Sequence, residues 1–197
     1  MGRNVLATAR RALSGRSRRA LLALLCLCSV AGLRGVEASA DDNPVADPPS
    51  ASGVAQVVLG IISYTRWPSD PPELKLCIAP PSIYADAIER AAAHATGRPI
   101  HVLRVASDDA SIGDACNVIY LGAVSDAVRD HVLALLPGHS VLTISEHDDE
   151  CAVGSVFCLA LRDSQVSFKV NLDSLARSGV RVNPSVLQLG HGKAARP

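Results

Sequence analysis

The residues with the most distinctive chemistry in this 197-residue chain are its cysteines. Six are present, and the four that follow the N-terminal 40 residues are Cys77, Cys116, Cys151 and Cys158. An even number of cysteines in an exported protein is typical of disulfides, and four cysteines allow three pairings. A zinc site is the alternative, but successive spacings of 39, 35 and 7 residues include no CxxC pair and suit a metal poorly. We therefore predict two disulfides and no metal site.

Sequence motifs of known catalytic centres are absent from the chain. It contains no GxSxG nucleophile elbow, HExxH zinc motif, P-loop or GxGxxG loop. The six histidines have no metal-ligand spacing, and the acidic run 147–150 is more typical of a solvated turn than of a cation site. The sequence thus favours a protein that is not an enzyme and needs no cofactor.

The first 40 residues have the composition of an export signal. They hold seven arginines and one glutamate, and their apolar run Leu21–Leu33 has 13 residues, which is too short to span a bilayer comfortably. Small residues at 38–40 fit a cleavage site, so we predict a signal peptide over 1–40 that is cleaved near Ala40. The alternative is an uncleaved membrane anchor. Residues 17–22 also resemble a twin-arginine signal, which leaves the Sec and twin-arginine routes both open.

The charge of the remaining chain argues against nucleic acid as a partner. Residues 41–197 carry 12 Lys and Arg against 18 Asp and Glu, a net charge of −6. Binding to phosphate backbones needs a basic surface, which this composition does not supply.

Proline, hydrophobic periodicity and turn residues divide the exported part of the chain. Residues 41–52 are rich in Pro and Asp and are predicted to be a disordered leader, 53–190 a single α/β domain and 191–197 a disordered tail. The elements predicted within the domain are a helix from 53 that Pro68 ends, strand 73–79, helix 82–96, strand 99–105, an acidic loop 108–114, strand 116–121, helix 126–136, strand 140–145, strands 156–161 and 165–172, helix 174–178 and a helix that begins at Pro184.

This order of elements predicts the fold class. Strands that alternate with helices form a mostly parallel sheet with helices on both faces, and the late hairpin adds antiparallel strands at one edge. In the strand order 2-1-3 of a doubly wound sheet, Cys77 in the first strand neighbours Cys116 at the start of the third. We therefore predict the pairs Cys77–Cys116 and Cys151–Cys158. We expect the first to resist reduction, and the second to lie in an exposed, easily reduced loop.

Two short segments have the composition of a binding surface. Arg66 precedes Trp67, the only tryptophan, and such a pair can form a stacking platform for a flat or anionic ligand. The alternative is that Trp67 closes the end of the first helix. Arg181 and Asn183 form the second segment. The apolar face of the first helix is a candidate partner surface as well as a candidate core element.

Five sequence segments together resemble the YfiR family of periplasmic regulators. They are GIISYTRWP (60–68), CNVIYLG (116–122), CAVGSVFCL (151–159), QVSFKVNLDSLARSGVRV (165–182) and PSVLQL (184–189), and the resemblance extends from about Gly53 to Leu189. It implies a dimeric, redox-sensitive periplasmic repressor that binds the sensor domain of a YfiN-like inner-membrane diguanylate cyclase and inhibits cyclic di-GMP synthesis. A YfiB-like, peptidoglycan-associated lipoprotein of the outer membrane sequesters such a repressor, after which cyclic di-GMP rises and biofilm forms.

The resemblance also implies roles for individual residues on the ligand side. Arg66 and Trp67 match a partner-facing and small-ligand surface, and Arg181 matches an arginine implicated in ligand contacts. Asn183 stands where the family often has histidine. The ligand expected there is a small aromatic or nucleotide-like molecule. A periplasmic small-ligand binding protein is accordingly the alternative function.

On the cyclase side the resemblance points to the C-terminal hairpin and the helix after it. Lys169 replaces an acidic residue in the strand implicated in cyclase binding. Leu175 keeps an apolar contact in the same region. We expect both residues to belong to the partner surface.

Overall fold

The computed structural model describes residues 50–148, 150–152, 154–162 and 165–191. The predicted signal peptide, all but the end of the predicted leader, the tip of the hairpin and residues 192–197 lie outside the described residues. None of the helices in the described ranges is long and apolar enough to cross a membrane.

Helices and strands alternate along the domain as predicted. The helices are α1 (Ala51–Ser63), α2 (Ala85–Ala93), α3 (Ile112–Ala115), α4 (Asp126–Ala134), α5 (Leu172–Arg177) and a C-terminal 3-10 helix (Pro184–His191). The strands are β1 (Thr65–Arg66), β2 (Leu74–Ala79), β3 (Ile100–Arg104), β4 (Val118–Leu121), β5 (Leu142–Ser145), β6 (Phe157–Arg162), β7 (Gln165–Val170) and β8 (Arg181–Val182).

Six of these strands form the central sheet in the order β3-β2-β4-β5-β6-β7. Neighbouring strands are parallel from β3 to β6, and only β6 and β7 pair antiparallel, from Phe157 opposite Val170 to Arg162 opposite Gln165. The fold class is therefore confirmed: a mostly parallel α/β sheet with a C-terminal antiparallel hairpin. β4 is buried along its whole length, as a strand apolar on both faces should be.

The sheet separates two apolar cores because successive side chains of a strand point to opposite faces. Leu76 and Ile78 of β2 join the larger core with α1 and α2, whereas Cys77 joins the smaller core with α3 and α4. Val58 and Ile61 of α1 are completely buried in the larger core. The apolar face of α1 is thus core, which leaves it unavailable as the candidate partner surface.

Local capping signals place the ends of several helices. The Ser50 side chain accepts a hydrogen bond from the Gly53 backbone N–H at 3.1 Å and begins α1. Asn171 caps α5 in the same way through Ser174, at 2.8 Å. Gly179 follows α5 with φ of +72°, a conformation in which glycine lacks the steric penalty of other residues.

Three local predictions need correction. The predicted acidic loop 108–114 contains the start of the one-turn helix α3. The last predicted helix is a 3-10 helix. Leu172, the end of the predicted strand 165–172, is instead the first residue of α5 and 72% exposed. Strand β7 ends at Val170, and Asn171 caps the helix that begins at Leu172.

Both predicted disulfides are present, with Cα–Cα distances of 5.8 Å for Cys77–Cys116 and 5.6 Å for Cys151–Cys158. The second disulfide was expected in an exposed loop; Ala152 of that loop is exposed, but the two cysteines themselves are buried, Cys151 at 7% and Cys158 at 1% exposed. Cys158 lies in β6 between Ser145 of β5 and Lys169 of β7, and this interior strand position covers it.

Candidate functional site

A small two-stranded sheet brings two predicted ligand residues together. β1 and β8 pair antiparallel with Arg66 opposite Arg181, although 115 residues separate them in the chain. The backbone N–H of Asn183 continues this pairing by donating to the carbonyl of Tyr64 at 2.9 Å. Arg66, Arg181 and Asn183 line one cleft of about 370 Å³, called here the two-arginine cleft. Two-residue strands carry little sequence signal, so this pairing was not predicted.

The chemistry of the two-arginine cleft is that of an anion site. Both arginines are exposed, and Arg66 folds back so that its Nη1 donates to the carbonyls of Ser63 and Thr65 at 2.7 and 2.8 Å. Asn183 contributes no charge, and its Oδ1 accepts from the Ser185 backbone N–H at 2.9 Å. Guanidinium groups at one cleft favour a carboxylate or phosphate, which they can bind through paired hydrogen bonds.

Trp67 does not line the two-arginine cleft. Its side chain belongs to the larger core, is 4% exposed, and donates from Nε1 to the carbonyl of Asn117 at 3.1 Å. The indole is therefore a core side chain, which favours the alternative to a stacking platform. Trp67 and Arg66 border a separate cleft of about 300 Å³ that also includes Arg98.

The residues predicted for the cyclase surface lie near each other in sequence but differ in exposure. Lys169 is exposed on β7, whereas Leu175 is half-buried and packs its side chain against the larger core. The exposed apolar residue of this region is Leu172, at the start of α5. The sequence analysis placed Leu172 in the predicted strand 165–172, so its exposed position at the start of a helix was missed.

Asn171 connects the loop closed by Cys151–Cys158 to α5. Its Nδ2 donates to the carbonyls of Cys151 and Ala152 at 3.0 and 3.1 Å, while its Oδ1 accepts from the Ser174 backbone N–H. The residue is 9% exposed, so these hydrogen bonds lie largely out of water. One carboxamide thus joins the loop closed by the disulfide to the helix that carries Leu172, a contact that the sequence did not predict.

Asp148 supports the other side of this loop. Its Oδ1 accepts from the Cys151 backbone N–H at 2.9 Å, and its Oδ2 lies 3.5 Å from the Cys158 sulfur. Cys151 has φ of +53°, which is uncommon for a residue with a side chain. The hydrogen bonds that Asp148 accepts and Asn171 donates therefore hold Cys151 in a backbone conformation that is uncommon for its residue type.

A buried polar cluster lies where β4 and β5 end. Burial raises the pKa of Tyr120, and the nearby Glu146 carboxylate raises it further. Burial and Glu146 also raise the pKa of Tyr84. Both phenols stay protonated at neutral pH, so this cluster supplies no phenolate nucleophile or base. Among the described residues, no group of three or more His, Cys, Asp or Glu side chains is placed to hold a metal ion.

The comparison with protein-family models identifies the chain. A model described as YfiR/HmsC-like matches residues 52–191, which covers the whole of the predicted domain 53–190. Members of this family are periplasmic regulators of the YfiN diguanylate cyclase system and are regulatory proteins rather than known enzymes. The extent of the match, with the sheet and the two disulfides, shows that the chain belongs to the YfiR/HmsC-like family.

Proposed function

We propose that this protein is a periplasmic repressor that binds the periplasmic sensor domain of a YfiN-like inner-membrane diguanylate cyclase and inhibits cyclic di-GMP synthesis. The family match over residues 52–191 is the observation that carries the proposal. In this proposal residues 1–40 direct export and are removed near Ala40, a leader precedes α1, which begins at Ala51 rather than after the predicted leader 41–52, the domain from α1 to the 3-10 helix is the regulatory domain, and a tail follows it.

The proposed cyclase surface is the region formed by β7 and α5. Leu172 is 72% exposed, and Lys169 and Asp173 beside it are also exposed. An exposed apolar side chain surrounded by charged ones is typical of the centre and rim of a protein interface. Leu175 packs against the larger core and so anchors α5 to the rest of the domain.

Repression in this mechanism is a shift between two conformations of the cyclase. The repressor binds the inactive sensor conformation more tightly than the active one, and a YfiB-like outer-membrane lipoprotein competes for the repressor. Moving the cyclase from 99% active to 99% inactive requires a preference of about 10⁴-fold for the inactive conformation. Two copies of the repressor in one homodimer would raise the effective concentration at a dimeric cyclase.

Redox control is a part of the same proposal. Reduction of Cys151–Cys158 removes the covalent closure of a loop whose carbonyls hold Asn171. Loss of these bonds loosens the start of α5 and the exposed Leu172. Reduced protein then misfolds or binds the cyclase more weakly, which derepresses cyclic di-GMP synthesis and favours biofilm.

Small-ligand binding is the second candidate function, and the two-arginine cleft is the observation that favours it. Arg66 and Arg181 would hold the anionic group of a small aromatic or nucleotide-like molecule. The protein could bind such a ligand in addition to repressing the cyclase. In the alternative, it is a periplasmic ligand-binding protein and not a repressor. The double variant Arg66→Gln/Arg181→Gln should lose such a ligand and, under the repressor proposal, should still bind the cyclase.

A pull-down with the periplasmic domain of the cognate cyclase tests the repressor proposal directly. We expect Leu172→Asp to weaken capture at least tenfold, because it places a carboxylate at the centre of the interface. Ile83→Asp is the matched control, since Ile83 is another exposed aliphatic residue, at 81%, outside the proposed surface. Equal capture of both variants and the wild type would place the interface elsewhere, and no capture of the wild type would contradict the proposal.

The cellular test compares deletion strains with and without the cyclase gene. We expect deletion of the repressor gene to raise cyclic di-GMP only where the cyclase is present. An unchanged level in the strain that expresses the cyclase would contradict the repressor function.

A further inference from the structure

A second, mostly apolar cleft of about 540 Å³ lies between α4, β5, the 151–158 loop and α5. Its apolar walls include Leu133, Leu136, Val141 and Val156. The volume is within the range of small-molecule sites in proteins. None of its lining residues belongs to the two-arginine cleft, so the two clefts are separate sites.

Ser174 supplies a buried polar group at this cleft. The residue is 6% exposed, and its hydroxyl has no hydrogen-bond partner within the described residues. Its backbone N–H is already bonded to Asn171, so the capping interaction does not involve the hydroxyl. Buried polar groups are nearly always paired in native proteins, and an unpaired hydroxyl beside a cleft indicates a group that a ligand can satisfy.

Opposite charges lie at the rim. Arg177 is one turn beyond Ser174 on α5, and Asp130 lies on α4. Neither forms a salt bridge with any residue in the described ranges. His139 also lines the cleft, but its Nδ1 is 3.3 Å from the carboxylate of Asp114, which compensates the charge of the imidazole when it is protonated. Arg177 is therefore the cation that remains for an anionic ligand.

We propose that this cleft binds small carboxylates with an aliphatic body. The ligand's carboxylate pairs with Arg177 and accepts a hydrogen bond from Ser174, while its chain packs against Leu133 and Val156. The site is separate from the two-arginine cleft, although it shares α5 with the proposed cyclase surface. A bound ligand also bridges α4 and α5, so it stabilises the folded protein by mass action.

Hexanoate is the probe for this site, with hexanamide and hexylamine as matched ligands of the same chain length. The experiment is isothermal titration of the mature, oxidised protein, with thermal melts at the same ligand concentrations. We expect hexanoate to bind with a dissociation constant of about 1 mM or tighter and to raise the melting temperature. Hexanamide and hexylamine should bind at least threefold more weakly, because neither pairs its head group with a guanidinium. The absence of saturable hexanoate binding, or equal binding of all three probes, would overturn the proposal.

Charge variants locate the bound carboxylate. Arg177→Gln should weaken hexanoate binding about threefold or more, as expected for an exposed ion pair. Asp130→Asn is similar in size and removes the opposite charge at the rim, so it should preserve or strengthen binding. Arg181→Gln tests the two-arginine cleft and should have no effect. Loss of binding in Arg181→Gln but not in Arg177→Gln would assign the ligand to the other cleft and refute this site.

Ser174→Ala separates a ligand contact from a structural role. The hydroxyl has no partner in the free protein, so its removal should leave the melting temperature unchanged or raise it. The same variant should bind hexanoate at least threefold more weakly. A lower melting temperature with unchanged affinity would show a structural hydroxyl and contradict the proposed contact.

Discussion

The two disulfides are both buried, yet they join parts of the molecule that are built differently. Cys77–Cys116 joins β2 to the residue two before β4, its neighbour in the interior of the parallel sheet, across 39 residues of chain. Cys151–Cys158 closes a seven-residue span between β5 and β6, beside the antiparallel hairpin. Exposure of the cysteines therefore does not distinguish the two bonds.

The difference lies in how much structure must open before each sulfur becomes accessible. Cys77 is enclosed by the smaller core, with Ile112 and Val132 from two helices, so reaching it requires the sheet and helices to separate. The 151–158 loop is exposed at Ala152, the residue before it, Glu150, is exposed too, and the loop can open with much less of the fold. Local opening costs less free energy than global unfolding, so we expect the second disulfide to be the redox-sensitive one despite its burial.

The largest effect should follow from removing the disulfide in the sheet. Cys77→Ser/Cys116→Ser should lower the free energy of unfolding by about 4 kcal/mol, because the bond closes a long loop in the unfolded chain. Urea denaturation followed by circular dichroism measures this value. A loss below about 1 kcal/mol would show that the sheet does not depend on this bond.

Removing the disulfide Cys151–Cys158 should lower the free energy of unfolding less than removing Cys77–Cys116, but should weaken repression more. Cys151→Ser/Cys158→Ser should lower the free energy of unfolding by about 2.5 kcal/mol and leave a folded protein that represses more weakly. Melting curves and a cyclic di-GMP reporter measure the two effects. If this variant disappears from the periplasm while the Cys77/Cys116 variant persists and represses, the roles of the two bonds are reversed.

Partial reduction of the wild-type protein compares the bonds directly. Under mild reductant with thiol labelling, we expect Cys151 and Cys158 to be modified first, because their loop opens locally. Mass spectrometry of the labelled peptides gives the order. Equal labelling rates for all four cysteines would indicate that both bonds open only by global unfolding.

The hydrogen bonds of Asn171, which join the loop to α5, should contribute somewhat less to the free energy of unfolding than the disulfide Cys151–Cys158. Asn171→Ala removes the helix cap and both bonds to the loop carbonyls, and should cost about 2 kcal/mol. Asn171→Ser is the matched variant, since serine can cap the helix but cannot reach the carbonyls. We expect Asn171→Ser to lose about 1 kcal/mol in urea denaturation. Wild-type stability of this variant would show that the carbonyl bonds contribute nothing.

The smallest expected effect concerns the segment that leads to Cys116. The Asp109 carboxylate accepts hydrogen bonds from the Ser111 hydroxyl at 2.7 Å and backbone N–H at 2.9 Å, and these hold the pKa of Asp109 below its ordinary value. A lowered folded-state pKa adds stability above the unfolded pKa, and this stability is lost as the pH falls through the folded value. Ser111→Ala should raise the pKa of Asp109 toward its ordinary value, as measured by carbon NMR titration. An unchanged pKa would assign the effect to the backbone bond alone.

Much of the fold was predictable because its signals are local or periodic. The alternation in β2 and the succession of strands and helices led to the correct sheet and cysteine pairs. The predicted ligand and cyclase residues were identified by resemblance to a family. Their arrangement was not predictable, because it depends on contacts between distant segments.

The sequence by itself determined the class of fold, both disulfide pairings and the family. The reason is that side-chain periodicity and the order of motifs are properties of short, continuous segments of the chain. Tertiary structure alone decided that Arg66 faces Arg181, that Trp67 is enclosed and that Cys151–Cys158 is covered by neighbouring strands. It also decided that Asn171 reaches the carbonyls of the disulfide loop. Each of these outcomes depends on burial or pairing between residues far apart in sequence, and local propensity carries no information about such contacts.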